Sequence, residues 1–138
     1  MTFQLIYTCA LSADVNCAGL NEIAQESYVT YGEKQITGLS ICKNGSSLNI
    51  LEGDKETILS VYADTLKDNR TINKLALLRR EVENREFETW SMGFKNTENT
   101  EATFILNTSN FSKVLPDNLS SEVNTIIKTF ERVNGIFA

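Results

Sequence analysis

The sequence predicts an α+β domain of ferredoxin-like type: a βαββαββ sheet with two helices on one face, followed by a C-terminal helical extension. Three observations predict it. Residues 3–9 alternate with period two, which puts Phe3, Leu5, Tyr7 and Cys9 on one strand face and Gln4, Ile6 and Thr8 on the other. From about Asn16 the period lengthens to that of a helix. Asn44-Gly45 then joins two strand-like runs, and this dipeptide favours the positive φ angles that a type I′ hairpin turn requires.

Each element follows from its local pattern. Leu20, Ile23, Ala24, Ser27, Tyr28 and Tyr31 recur at helical spacing, and Gly32 marks a stop. The hairpin strands are Gln35–Lys43 and Ser46–Glu52. Asp54 is the expected N-cap of a second helix, with Ile58, Val61, Tyr62 and Thr65 on its inner stripe. Strands follow at about Leu75–Val82 and Trp90–Lys95. The polar stretch Asn96–Glu101 reads as a loop, and Phe104-Ile105-Leu106 as a short apolar run of undecided type. Ser120 or Ser121 caps a last helix with Val123, Ile126, Ile127 and Phe130 on its apolar stripe. The acidic residues Glu81, Glu83, Glu86 and Glu88 read as a solvated turn between strands.

Composition narrows the function. A chain of 138 residues holds one hydrophobic core and is too short for two. Its net charge of -5 argues against nucleic acid and against an anionic membrane, both of which need a basic surface. No apolar stretch approaches the roughly 18 residues of a membrane span, and the start lacks the basic region of a secretory signal. Cys9, Cys17 and Cys42 are odd in number and far apart, which fits reduced thiols in the cytoplasm. With no histidine, a Ser-His-Asp or Cys-His nucleophile is impossible within the chain. There is neither a C-x-x-C pair for zinc nor a glycine-rich phosphate loop. The expectation is therefore a protein that is not an enzyme.

Four segments carry a resemblance. Leu5-Ile6-Tyr7, Ile36-Thr37-Gly38-Leu39, Leu51-Glu52-Gly53 and Trp90-Ser91-Met92-Gly93-Phe94 stand in the order and at the spacing of BLUF domains, the flavin-binding sensors of blue light. Val61-Tyr62, Asp68-Asn69-Arg70 and Arg85-Glu86-Phe87 match as well, so the resemblance covers about residues 3–96. It divides the chain into a BLUF-like domain at 1–97 and a C-terminal extension at 98–138.

The resemblance implies a non-covalent FAD, or FMN, whose ring lies between the two helices on one face of the sheet. It further implies that light drives electron and proton transfer from a tyrosine. A glutamine amide then rearranges, and the tryptophan and methionine of the last strand carry the new hydrogen-bond pattern onward. Position by position, Tyr7 matches the photochemical tyrosine, and Trp90 and Met92 match the signalling strand. Ile23 matches the apolar residue against the ring, and Arg70 the arginine at the end of the second helix. Asn49 stands where the family has its glutamine, one methylene shorter with the same amide donors and acceptor. Tyr31 stands where the family has a flavin-holding asparagine, with Thr30 in the polar position before it. Gln35 replaces a usual glycine, and Asp64 a frequent arginine.

The resulting expectation is a blue-light photoreceptor that signals to a separate effector protein, with residues 104–138 mediating self-association or effector contact. The alternative, motivated by Asn49, Tyr31 and Asp64, is a flavin-free or photochemically altered interaction module. The last helix either forms the assembly surface or packs back on the sheet's free face as an intramolecular cap.

Overall fold

The computed structural model describes residues 1–15, 17–43, 45–96, 99–105, 116 and 118–134. Its elements are β1 (Thr2–Leu11), α1 (Cys17–Glu33), β2 (Thr37–Lys43), β3 (Ser46–Gly53), α2 (Lys55–Leu66), β4 (Thr71–Val82), β5 (Trp90–Asn96), β6 (Asn99–Ile105) and α3 (Ser121–Asn134). The strands form one sheet in the order β4-β1-β3-β2-β5-β6. The β4-β1-β3-β2 part is the antiparallel ferredoxin-like unit; β5 then joins β2 in parallel, and β6 pairs antiparallel with β5. The α+β class and the two helices on one face are as expected.

The alternation in β1 decides which residues meet which helices. Phe3, Leu5, Tyr7 and Cys9 turn to one face and pack with Tyr31 of α1, Ile58 and Val61 of α2, and Trp90 of β5. Ile6 turns to the other face, where Leu39, Ile41, Leu48, Ile50 and Phe87 pack with Val123 and Ile127 of α3. Burying each such aliphatic side chain contributes roughly 1.5–3 kcal/mol. The last helix is thus an intramolecular cap on the face opposite α1 and α2. Asp54 caps α2 as expected, its carboxylate accepting the Thr57 N–H at 3.4 Å.

A buried polar network ties α3 to the sheet. Gln4 Nε2 donates to Glu52 Oε2 at 3.0 Å and to Glu86 Oε2 at 2.8 Å. Glu52 Oε1 also accepts the backbone N–H groups of Glu86 and Phe87. Glu86 accepts the Ser120 N–H at the start of α3, and Arg80 reaches Gln4, Glu86, Ser120 and Glu122. Burial pushes the Glu52 carboxyl up, against the pull of those N–H donors. For Glu86, burial pushes the same way but is outweighed by Ser120, Gln4 and Arg80, which hold the carboxyl below its usual range.

Five expectations are corrected. The stretch read as a loop at Asn96–Glu101 runs into β6, whose Asn99–Ile105 takes in Phe104 and Ile105, while Leu106 lies outside the described residues. Glu86 is not a solvated turn residue, because it is enclosed by the network above. Tyr28, placed on the inner stripe of α1, is exposed, and α1 continues through Glu33 past Gly32. The strand expected from Leu75 begins at Thr71. In the hairpin, Gly45 has the positive φ its turn requires (86°), and Asn44 lies outside the described residues.

Candidate functional site

Strand register lays one row of side chains across the sheet. Tyr7 pairs with Asn49, Asn49 with Ser40, and Ser40 with Met92, so four neighbouring strands contribute one residue each at the same level. This row forms the floor of a cleft between α1 and α2 that encloses about 210 Å³. Ile23, Ser27, Thr30 and Tyr31 line it from α1, Val61, Asp64 and Thr65 from α2, and Trp90 closes it from β5. All eight site residues expected from the sequence, namely Tyr7, Ile23, Thr30, Tyr31, Asn49, Arg70, Trp90 and Met92, line this one cleft.

The Asn49 side chain is held in place. Its Oδ1 accepts from Ser40 Oγ at 2.7 Å and from Ser47 Oγ at 3.3 Å. Its Nδ2 lies 3.5 Å from the Tyr7 carbonyl oxygen and 3.7 Å from Cys9 Sγ. The amide therefore addresses the backbone of Tyr7, and the Tyr7 hydroxyl meets Thr65 instead. Burial, reinforced by nearby Tyr31 and Cys9, pushes that hydroxyl well above its ordinary value, so Tyr7 stays protonated. Burial likewise pushes Tyr31 to about 12, against a hydrogen bond with Ser27, and the Cys42 thiol to about 12. The Tyr7 ring meets Tyr62 edge-on at 5.0 Å, and the Tyr31 ring meets Trp90 edge-on at 4.6 Å.

Arg70 sits at one end of the cleft. Its Nη2 lies 2.8 Å from Glu26 Oε2 on α1 and 2.8 Å from Asp68 Oδ2, and its Nε donates to Asp68 Oδ1 at 3.0 Å. Hydrogen bonding to Asp68 and Glu26 raises the guanidinium further, while the same contact lowers the Asp68 carboxyl.

The site residues missed from sequence are Ser40, Ser47, Cys9 and Thr65. Ser40 was within reach of the hairpin signal, since a two-residue turn at 44–45 sets residue 40 opposite residue 49. Thr65 lay on the stripe of α2, and nothing in its spacing distinguishes a hydroxyl contact from packing.

The profile of the family described as "BLUF: Sensors of blue-light using FAD" matches residues 2–93, two thirds of the chain. The chain belongs to the BLUF family. A structure of Klebsiella pneumoniae BlrP1 with manganese and cyclic diGMP is similar at 18% identity and a TM-score of 0.74, over 94% of this chain and 32% of that one. The dark-state structure of the BLUF protein BlrB is similar at 21% identity and a TM-score of 0.64, over 70% of this chain and 74% of that one. A bacterial light-regulated adenylyl cyclase is similar at 21% identity and a TM-score of 0.66, over 99% of this chain and 35% of that one. This chain thus spans about a third of the length of BlrP1 and of the cyclase, and at these identities the likeness is one of fold. No curated protein sequence matches it.

BLUF membership makes this a photosensor module, as the sequence expected, and flavin the ligand class against which the cleft is tested. The ring end fits. Ile23, Val61 and Met92 offer apolar walls, while Asn49, Ser40 and Thr30 offer donors and acceptors for a heterocycle's polar edge. Space is tighter than chemistry: about 210 Å³ is below the roughly 300–1,000 Å³ of pockets that engulf a drug-sized ligand. Among the described residues, no helix is long and apolar enough to cross a membrane, and no cluster of metal-ligating side chains occurs.

Proposed function

We propose that this chain binds a flavin non-covalently between α1 and α2, responds to blue light, and signals to a separate effector protein. The supporting observation is that residues drawn from scattered segments, Tyr7, Asn49, Trp90 and Met92 among them, line a single cleft. FAD is the form in the family's description. When bound, a flavin supplies the blue absorption and an acceptor for one electron. Tyr7 holds the transferable proton on its buried hydroxyl, Thr65 orients that hydroxyl, and Ser40 and Ser47 set which way the Asn49 amide points. Ile23 and Thr30 border the ring, and Trp90 and Met92 carry a change at the Asn49 row to β5 and its edge neighbour β6. The reading takes the protein as cytoplasmic, in keeping with the free thiols of Cys9 and Cys42, and as a self-associating one.

A second reading, an interaction module with lost or altered photochemistry, is favoured by the same geometry. Tyr31 packs edge-on against Trp90 in the cleft, and Asn49 is turned from the Tyr7 hydroxyl. Absorption spectroscopy separates the two. The purified protein, incubated with flavin and desalted, is expected to stay yellow and to show a red-shifted band under blue light. A protein that stays colourless would sink the first reading. A yellow protein without the shift, in which Asn49→Gln produces one, would establish altered photochemistry.

A further inference from the structure

Resting on the flavin reading of the cleft, we infer that its two ends select a flavin with an uncharged side chain, riboflavin, over the phosphate-bearing FMN and FAD. Whichever end the flavin tail leaves by, the cations that would receive a phosphate stand among carboxylates of the chain that outnumber them. At the α2 C-terminal end the cation on the cleft wall is Arg70, and Glu26 and Asp68 both lie 2.8 Å from its Nη2. Asp64, exposed in the last turn of α2, adds another carboxylate to that wall, and no basic residue stands in that turn to offset the helix's negative pole. Lys74, the next cation, is turned onto the carbonyls of Asp68 and Thr71. At the opposite end, the α2 N-terminus is a ready anion site, but Asp54 already caps it. Lys34 is the cation on the cleft wall there, and it borders one recess with Asp54 and Glu56, two carboxylates to its single charge.

A ribityl chain asks only for hydroxyl partners, and Ser27 supplies one on the cleft wall. FMN brings a phosphate of about -2 charge, and each exposed carboxylate near it opposes binding in a salt-dependent way.

Riboflavin, FMN and FAD titrated into the full chain, followed by flavin fluorescence anisotropy, test this. Riboflavin is expected to bind about tenfold more tightly than FMN at about 0.02 M salt, with the gap closing toward about 0.5 M as screening removes the repulsion. Asp64→Lys is expected to close much of the gap at low salt. FMN or FAD binding as tightly as riboflavin at low salt would overturn the inference and leave the flavin reading standing. A riboflavin preference that neither salt nor Asp64→Lys alters would overturn it too, since the selection would then be one of size. If none of the three binds, the flavin reading itself falls and the inference with it.

Discussion

Single residues carry most of what departs from an ordinary ferredoxin-like sheet. Gly38 is one: its φ is 144°, and a Cβ there would come within 1.8 Å of the Ile50 carbonyl oxygen, so β2 passes β3 at a distance only glycine allows. Three residues earlier the same requirement goes unmet. Gln35 links α1 to β2 at a φ of 57°, a left-handed conformation that costs a residue with a Cβ roughly 1–2 kcal/mol. It is exposed, and the contact it makes to Arg85 uses its backbone oxygen. Gln35→Gly is therefore expected to stabilise the fold by about 1 kcal/mol, less whatever the unfolded chain gains in freedom. Urea denaturation checks it, and a loss of stability would show that the side chain contributes more than its backbone costs. At this scale the sequence was legible where a residue has one use, as with Tyr7 and Asn49 in the cleft, and illegible where partners decide. Glu86 sits in an acidic run that looks solvated, and only the folded positions of Gln4 and Ser120 remove it from water.

At the scale of elements, strong periodicity and caps were readable and weak periodicity was not. The apolar stripes of α2 and α3 and the Asp54 cap of α2 are plain in the residue spacing alone. Strand β6 is not, because an edge strand needs no buried face and its Asn, Thr and Glu residues look like a loop until pairing with β5 is known. The attachment of α3 was equally hidden, since its N-terminal anchor reaches Glu86 across 34 residues of sequence. That anchor makes a pH prediction. The Glu86 carboxyl is held below its ordinary value, so its stabilising effect is complete above the unfolded value of about 4.3 and lost as the pH falls through the lower folded value. Glu52 runs the other way: its raised carboxyl makes ionisation costly as the pH rises. Glu86→Gln leaves Glu52 in place and relieves it only of the Glu86 charge, the smallest contribution to its raised carboxyl, so comparing variant with parent reads mainly the first effect. The variant is expected to lose about 1–3 kcal/mol at pH 7, with the difference shrinking as the pH falls below about 4. A difference independent of pH would show that the side chain's shape, not its charge, holds α3.

The whole molecule is a sheet with different business on its two faces. One face carries the cleft under α1 and α2, and the other is sealed by α3. Strand β3 serves both, presenting Asn49 and Leu51 to the cleft side and Leu48, Ile50 and Glu52 to the α3 side. A change at the Asn49 row therefore has a short covalent route to the network that anchors α3. Whether α3 is a cap or an assembly surface was open in the sequence, because an amphipathic stripe fits a sheet face and a second protein equally well. The packing of Val123 and Ile127 against Ile6, Leu39, Ile41, Leu48 and Ile50 makes it a cap within this chain. The two roles differ in concentration dependence. For a cap, Ile127→Ala leaves a cavity in the chain's own core and is expected to cost about 2–4 kcal/mol. Thermal unfolding midpoints of variant and parent should then differ by the same amount across a hundredfold range of protein concentration. A difference that grows with concentration would mean that α3 gains its stability from another copy, and that the contact with the sheet is only part of its work.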